Sequence, residues 1–122
     1  MPGILGIISK DGHAPCLTEA LAALQHTPNA YSEQLSVSLE ISLGFIAPKR
    51  NSTWLFDPDL QIGVMYAGRI LSESPHAHAV DSRELLRSYA LNGFEQWACL
   101  EGSFVIVLLD LRRGSLFLYN DR

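Results

Sequence analysis

Residues 100–122 read LEGSFVIVLLDLRRGSLFLYNDR. In SFVIVLLDL the apolar side chains fall on both faces of an extended segment, the pattern of a central strand covered on both sides. Leu111-Arg112-Arg113-Gly114-Ser115 supplies a turn, with the two arginines read as solubilising it, and SLFLY returns antiparallel as the second arm of a hairpin. Hairpin-connected strands together with helices in separate blocks indicate an α+β fold.

Upstream of this hairpin, Asp81 opens a helix. Its side chain can cap the helix, and Glu84 follows three positions later as a capping box requires, with Asp in the Ser/Thr place. Leu85, Leu86 and Tyr89 form the buried stripe, and Asn92-Gly93 ends the helix. A short helix around Phe94 to Leu100 turns Trp97 inward. Residues 68–80, containing SESPHAHA, read as a loop. Thr53–Phe56 and Leu60–Ala67 read as strands joined by a turn at Asp57-Pro58-Asp59.

Further upstream, QLSVSLEIS (residues 34–42) alternates strictly. Leu35, Val37, Leu39 and Ile41 point one way and the polar residues the other, which predicts one half-buried strand, continued through Leu43–Ala47 past a kink at Gly44. From Pro15 to His26, Leu17, Ala20, Leu21 and Leu24 recur at helical spacing, and Pro28-Asn29 mark the end of that helix. Residues 3–9 predict a first strand, and Asp11-Gly12 a turn after it.

The chain has 122 residues, 48% apolar and 18% charged, with a net charge of −4 and a pI near 5.4. These values predict one globular domain over 1–122 and argue against disorder. Basic residues never cluster beyond the pairs Lys49-Arg50 and Arg112-Arg113, so no nucleic-acid partner is expected. The longest apolar run, Phe104–Leu109, is far too short for a membrane span, and the start lacks the pattern of a signal peptide. A cytoplasmic location without membrane association is expected. Cys16 and Cys99 fit no metal spacing and are read as buried free thiols.

Three stretches carry a resemblance. MPGILGI is similar to MCGI-type starts, VDSRELLRSY to SDTEVLLHAY-type segments, and residues 100–122 to the LNGMFAFALWD…LFLARDR type. Together they resemble the glutaminase domain of class II glutamine amidotransferases, on the asparagine synthetase branch. The likeness covers nearly the whole chain, and its middle is weak. It implies an N-terminal-nucleophile hydrolase-like sandwich of two antiparallel sheets with outer helices. Because the family's sandwich continues past the LFLARDR segment, it also implies a C-terminally shortened domain, a fragment or a split subunit.

In that family a cysteine follows the initiating Met, and its thiolate attacks the glutamine amide. Pro2 stands there instead and has neither thiol nor hydroxyl. The family's oxyanion pair, Asn-Gly, matches Ala67-Gly68: the glycine is kept and the side-chain amide is gone. No arginine matches the family's carboxylate clamp near Leu43–Pro48, although Lys49 or Arg50 are displaced candidates. Asp81 matches the aspartate that binds the substrate amine, but capping alone also accounts for it. With nucleophile, oxyanion donor and clamp all changed, a degenerate site without catalytic residues and without glutaminase activity is expected.

Other candidates are weaker. Pro2 offers an N-terminal secondary amine if Met1 is removed, but no partners for it are evident. His76 and His78, with Asp81 near, have the spacing of a metal pair in an extended segment, yet lack a third histidine. A solvated loop is the better reading, and no metal is expected. His13 and His26 flank the first helix in a structural role. Trp54, Trp97, Phe104 and Phe117 read as core rather than as a stacking platform.

The resemblance thus implies an inactive glutaminase-like domain supporting an ATP-dependent amide-forming enzyme of asparagine synthetase, β-lactam synthetase or lasso-peptide cyclase type. ATP and Mg belong to the implied synthetase domain, and this chain itself is expected to hold no cofactor. The expected partner is a synthetase domain or subunit, or a second copy. The alternative is a stand-alone non-catalytic binding or dimerisation module.

Overall fold

The computed structural model describes residues 3–8, 17–25, 30–36, 41–47, 53–73 and 76–121. The chain divides into two compact units, Met1–Ser52 and Thr53–Arg122, each built on one antiparallel sheet. The fold class is α+β.

In the first unit, β1 (Gly3–Ile8), β2 (Tyr31–Ser36) and β3 (Ile41–Ala47) form a sheet of order β1-β3-β2, with helix α1 (Leu17–Leu24) following β1. Leu17 and Leu21 of α1 pack with Ile46, but Leu24, expected in the buried stripe, is 45% exposed. The single strand expected over residues 34–42 is two strands. Leu35 lies opposite Leu43 and Ser36 opposite Ser42 in an antiparallel ladder, so the chain reverses between them. Nor does Gly44 kink the chain. It lies inside β3, and a Cβ there would come 2.7 Å from Leu21 Cδ2. The missing side chain lets α1 approach the sheet.

In the second unit, β4 (Leu55–Asp57), β5 (Ile62–Ser72), β6 (Leu100–Asp110) and β7 (Ser115–Asn120) lie in that order. Helix α2 (Ser82–Asn92) and a 3₁₀ helix (Glu95–Cys99) connect β5 to β6. The strand β6 is central, as its two-faced apolar run predicts: Ile106 and Leu108 on one face and Val107 and Leu109 on the other are all buried. Against the first face pack Val80, Leu85, Leu86, Tyr89 and Trp97. Tyr119 donates to the Trp97 carbonyl at 2.9 Å, and the Trp97 indole N–H donates to Ser88 Oγ at 2.9 Å, so the buried indole keeps its hydrogen bond.

The segment 68–80, read as a loop, begins as sheet. β5 runs on to Ser72 and pairs with β6 over its whole length, from Ile62 opposite Asp110 to Ser72 opposite Leu100. Cys99, expected to be buried, is exposed; Cys16 lies outside the described residues. Among the described residues no helix is long and apolar enough to cross a membrane.

Candidate functional site

Tyr66, Ala67 and Gly68 lie in the middle of β5. Ala67 is buried opposite Val105, and Gly68 lies opposite Phe104. Gly68 has φ +101°, and a Cβ there would fall 2.1 Å from the Ser103 carbonyl oxygen. Gly102, two residues along on β6, has φ +132°, and a Cβ there would fall 2.1 Å from the Arg69 oxygen. The two backbones meet so closely that only glycine fits either position.

Asp81 is the N-cap of α2, with extended backbone, and its Oδ1 accepts from the Glu84 N–H at 2.9 Å. The next residue ties the helix to β5. Ser82 Oγ donates to the Thr53 carbonyl; Thr53 Oγ1 donates to the Tyr66 carbonyl and accepts from the Tyr66 N–H at 3.0 Å. Burial, and then the Asp81 carboxylate, push the Tyr66 phenol above its ordinary range. The fold thus brings Asp81 and Tyr66 to one corner, a residue away from Ala67-Gly68. Ala67 itself projects from the opposite face of the strand, as neighbours in a strand must. This corner offers a carboxylate and a phenol, groups able to hold an ammonium, and the Ala67 methyl lies on the other face. Pro2, Lys49, Arg50, His13 and His26 lie outside the described residues.

His78 is engaged elsewhere. Its Nδ1 is 3.0 Å from Ser72 Oγ, and its Nε2 is 3.0 and 3.1 Å from the two Glu84 carboxylate oxygens. The Ser72 N–H donates to the His78 carbonyl at 3.1 Å, and the Val80 N–H to the Ile70 carbonyl at 3.0 Å. The segment after β5 therefore folds back on the strand and is latched to the first turn of α2. Among the described residues no group of three or more His, Cys, Asp or Glu is arranged to hold a metal.

A further polar cluster has no counterpart in the sequence reading. Asp110 ends β6 with no solvent exposure. Tyr89 Oη donates to its Oδ2 at 3.1 Å, Arg112 Nη2 to Oδ2 at 2.9 Å, and Arg112 Nε and backbone N–H each to Oδ1 at 3.1 Å. Bonding to the Arg112 guanidinium, opposed by burial and aided by Tyr89, holds the Asp110 carboxyl at about 2. Arg112 is therefore the counter-ion of a buried carboxylate rather than a solubilising turn residue. The signal available was an acid at the end of a strand apolar on both faces, which needs a partner.

Comparison with protein-family models, with curated proteins and with solved structures finds no match for this chain.

Proposed function

We propose that this chain is a degenerate glutaminase-like domain of the class II amidotransferase type, supporting an ATP-dependent amide-forming enzyme related to asparagine synthetase. The observation that carries the reading is the corner where α2 begins. Asp81, matched to the family's glutamine site, opens α2 where Ser82 and Thr53 tie the helix to Tyr66, the residue before the separately matched Ala67-Gly68 pair. This nearness of the two along β5 supports the reading although Ala67 faces away. The machinery for hydrolysis is missing from the same positions. Pro2 brings no thiol to form a thioester, and Ala67 brings no amide to an oxyanion. The reading carries with it the N-terminal-nucleophile hydrolase sandwich of two antiparallel sheets. It also carries a partner, a synthetase domain or subunit of the asparagine synthetase, β-lactam synthetase or lasso-peptide cyclase type, where ATP and Mg would act.

The test is release of glutamate and ammonia from glutamine by the purified protein. No turnover above a heat-killed control is expected, and Pro2→Cys alone restores little because Ala67 still leaves the oxyanion poorly held. Turnover by the unaltered chain would overturn the reading.

A second reading is favoured by β7. It is the outer strand of its sheet, and Leu118 on it is 72% exposed. An apolar edge strand is a template for another chain, which suits a non-catalytic dimerisation module. Sedimentation of the protein alone, and then mixed with an ATP-binding synthetase domain, separates the two: self-association without affinity for the synthetase favours the module.

A further inference from the structure

Helix α2 carries two arginines that the fold does not use. Arg83 and Arg87 are four residues apart, so they sit side by side on one helical face, a like-charged arrangement that works against the helix. Neither guanidinium makes a hydrogen bond or ion pair with any described residue. Glu84, next to Arg83 in sequence, bonds His78, and Asp57, which lines the same groove as the two arginines, accepts from the backbone N–H groups of Asp59 and Leu60. Both arginines line a groove of about 630 Å³ between α2 and the β4–β5 turn. Its remaining walls are mostly apolar, Leu55, Phe56, Leu86 and Ala90 beside Leu60 and Leu91, which are 36% and 74% exposed, with Asp57 the one acid among them.

We propose that this groove binds a small amphipathic anion, a carboxylate on an aliphatic body. Arg83 and Arg87 clamp the carboxylate, and the leucines and Phe56 cover the chain. The volume is that of small-ligand sites, which are mainly apolar with a few convergent polar groups. Guanidiniums on adjacent turns of one helix converge on a single anionic group and can grip it through paired N–H donors. A polypeptide with acidic residues spaced along it would call for cations spread along the groove. In a chain of net charge −4, two arginines without an ion pair among the described residues beside an apolar groove offer an anion a local positive site. This assignment is independent of the glutaminase-like reading.

The experiment is calorimetric titration of the whole chain with decanoate below its micelle-forming concentration. Saturable binding of one decanoate is expected. Decanol, with the tail and no charge, and acetate, with the charge and no tail, should each bind at least about tenfold more weakly. The double variant Arg83→Gln/Arg87→Gln should lose about tenfold in decanoate affinity with its thermal midpoint kept or raised, because a repulsive pair has been removed. Ala90→Trp, which fills the groove without touching charge, should block binding in a protein that still unfolds cooperatively. Equal affinity for decanol and decanoate overturns the proposal, as does unchanged binding by the double variant. So does an acidic amphipathic peptide that binds where decanoate does not, which would make the groove a protein-docking surface.

Discussion

Asp110 keeps its charge without solvent because Arg112 grips both carboxylate oxygens and Tyr89 donates to one of them. Its folded-state pKa, about 2, lies below the ordinary 3.8, so its stabilisation is fully present above the unfolded value. That contribution is lost as pH falls from about 4 through about 2. Urea unfolding followed across this range should show stability declining toward acid, with Asp110→Asn showing a shallower decline. At neutral pH the same substitution should lower stability by about 2–3 kcal/mol, since it weakens charge-assisted bonds at a buried site. Asp81 is a milder case, because one capping bond at an exposed helix start is at stake. Asp81→Ala should cost about 0.5–2 kcal/mol in thermal or urea unfolding. If an amino-acid-like ligand is found, loss of its binding with the midpoint unchanged would show that Asp81 serves a ligand rather than the helix.

At the scale of elements, what was legible in the sequence was local. The Asp81 cap, the Gly93 stop and the turn of the β6–β7 hairpin each involve a few neighbouring residues, and each stands where its pattern predicts, although the Glu84 carboxylate bonds His78 and does not complete a capping box. The reversal between β2 and β3 was not legible, for a reason of parity. In this antiparallel ladder odd residues face odd residues, Leu35 opposite Leu43, so the alternation runs through the reversal unbroken. It reports which face a residue takes and is silent about strand direction. The segment between the arms also lacks the Gly, Pro, Asn or Asp that usually marks a hairpin turn. The extension of β5 to Ser72 was hidden because its partners, Leu100 to Phe104, lie across two helices in sequence. The Asp110 cluster was hidden likewise, with Tyr89 separated from it by 21 residues. Gly44 suggested a kink because a glycine in a strand is ambiguous until its neighbour is known. That neighbour is Leu21, and Gly44→Val should push α1 off the sheet, lowering the urea midpoint by the equivalent of about 1–3 kcal/mol.

At the scale of the molecule, each unit carries a sheet of its own, and the corner that carries the functional proposal lies wholly in the second. Of that site, Asp81 and Ala67-Gly68 were legible as positions. The Thr53 bridge between Ser82 and Tyr66 was not, because a threonine next to a loop gives no signal of its role until both ends of its hydrogen bonds are placed. The second sheet is also lopsided. One border, β4, is three residues long, while the other, β7, is six residues long with Leu118 turned outward. A three-residue border offers little ladder to a newcomer, so the sheet can be lengthened from one side only. If two copies meet through β7, the same border is used on both, a two-fold axis closes the pair, and within this sheet no joining edge of comparable length is left over. Growth through this sheet then has a stoichiometric stop: where β7 is the joining edge, light scattering against concentration should plateau at twice the mass of the chain, and lengthening the β4 border is the change expected to release that stop.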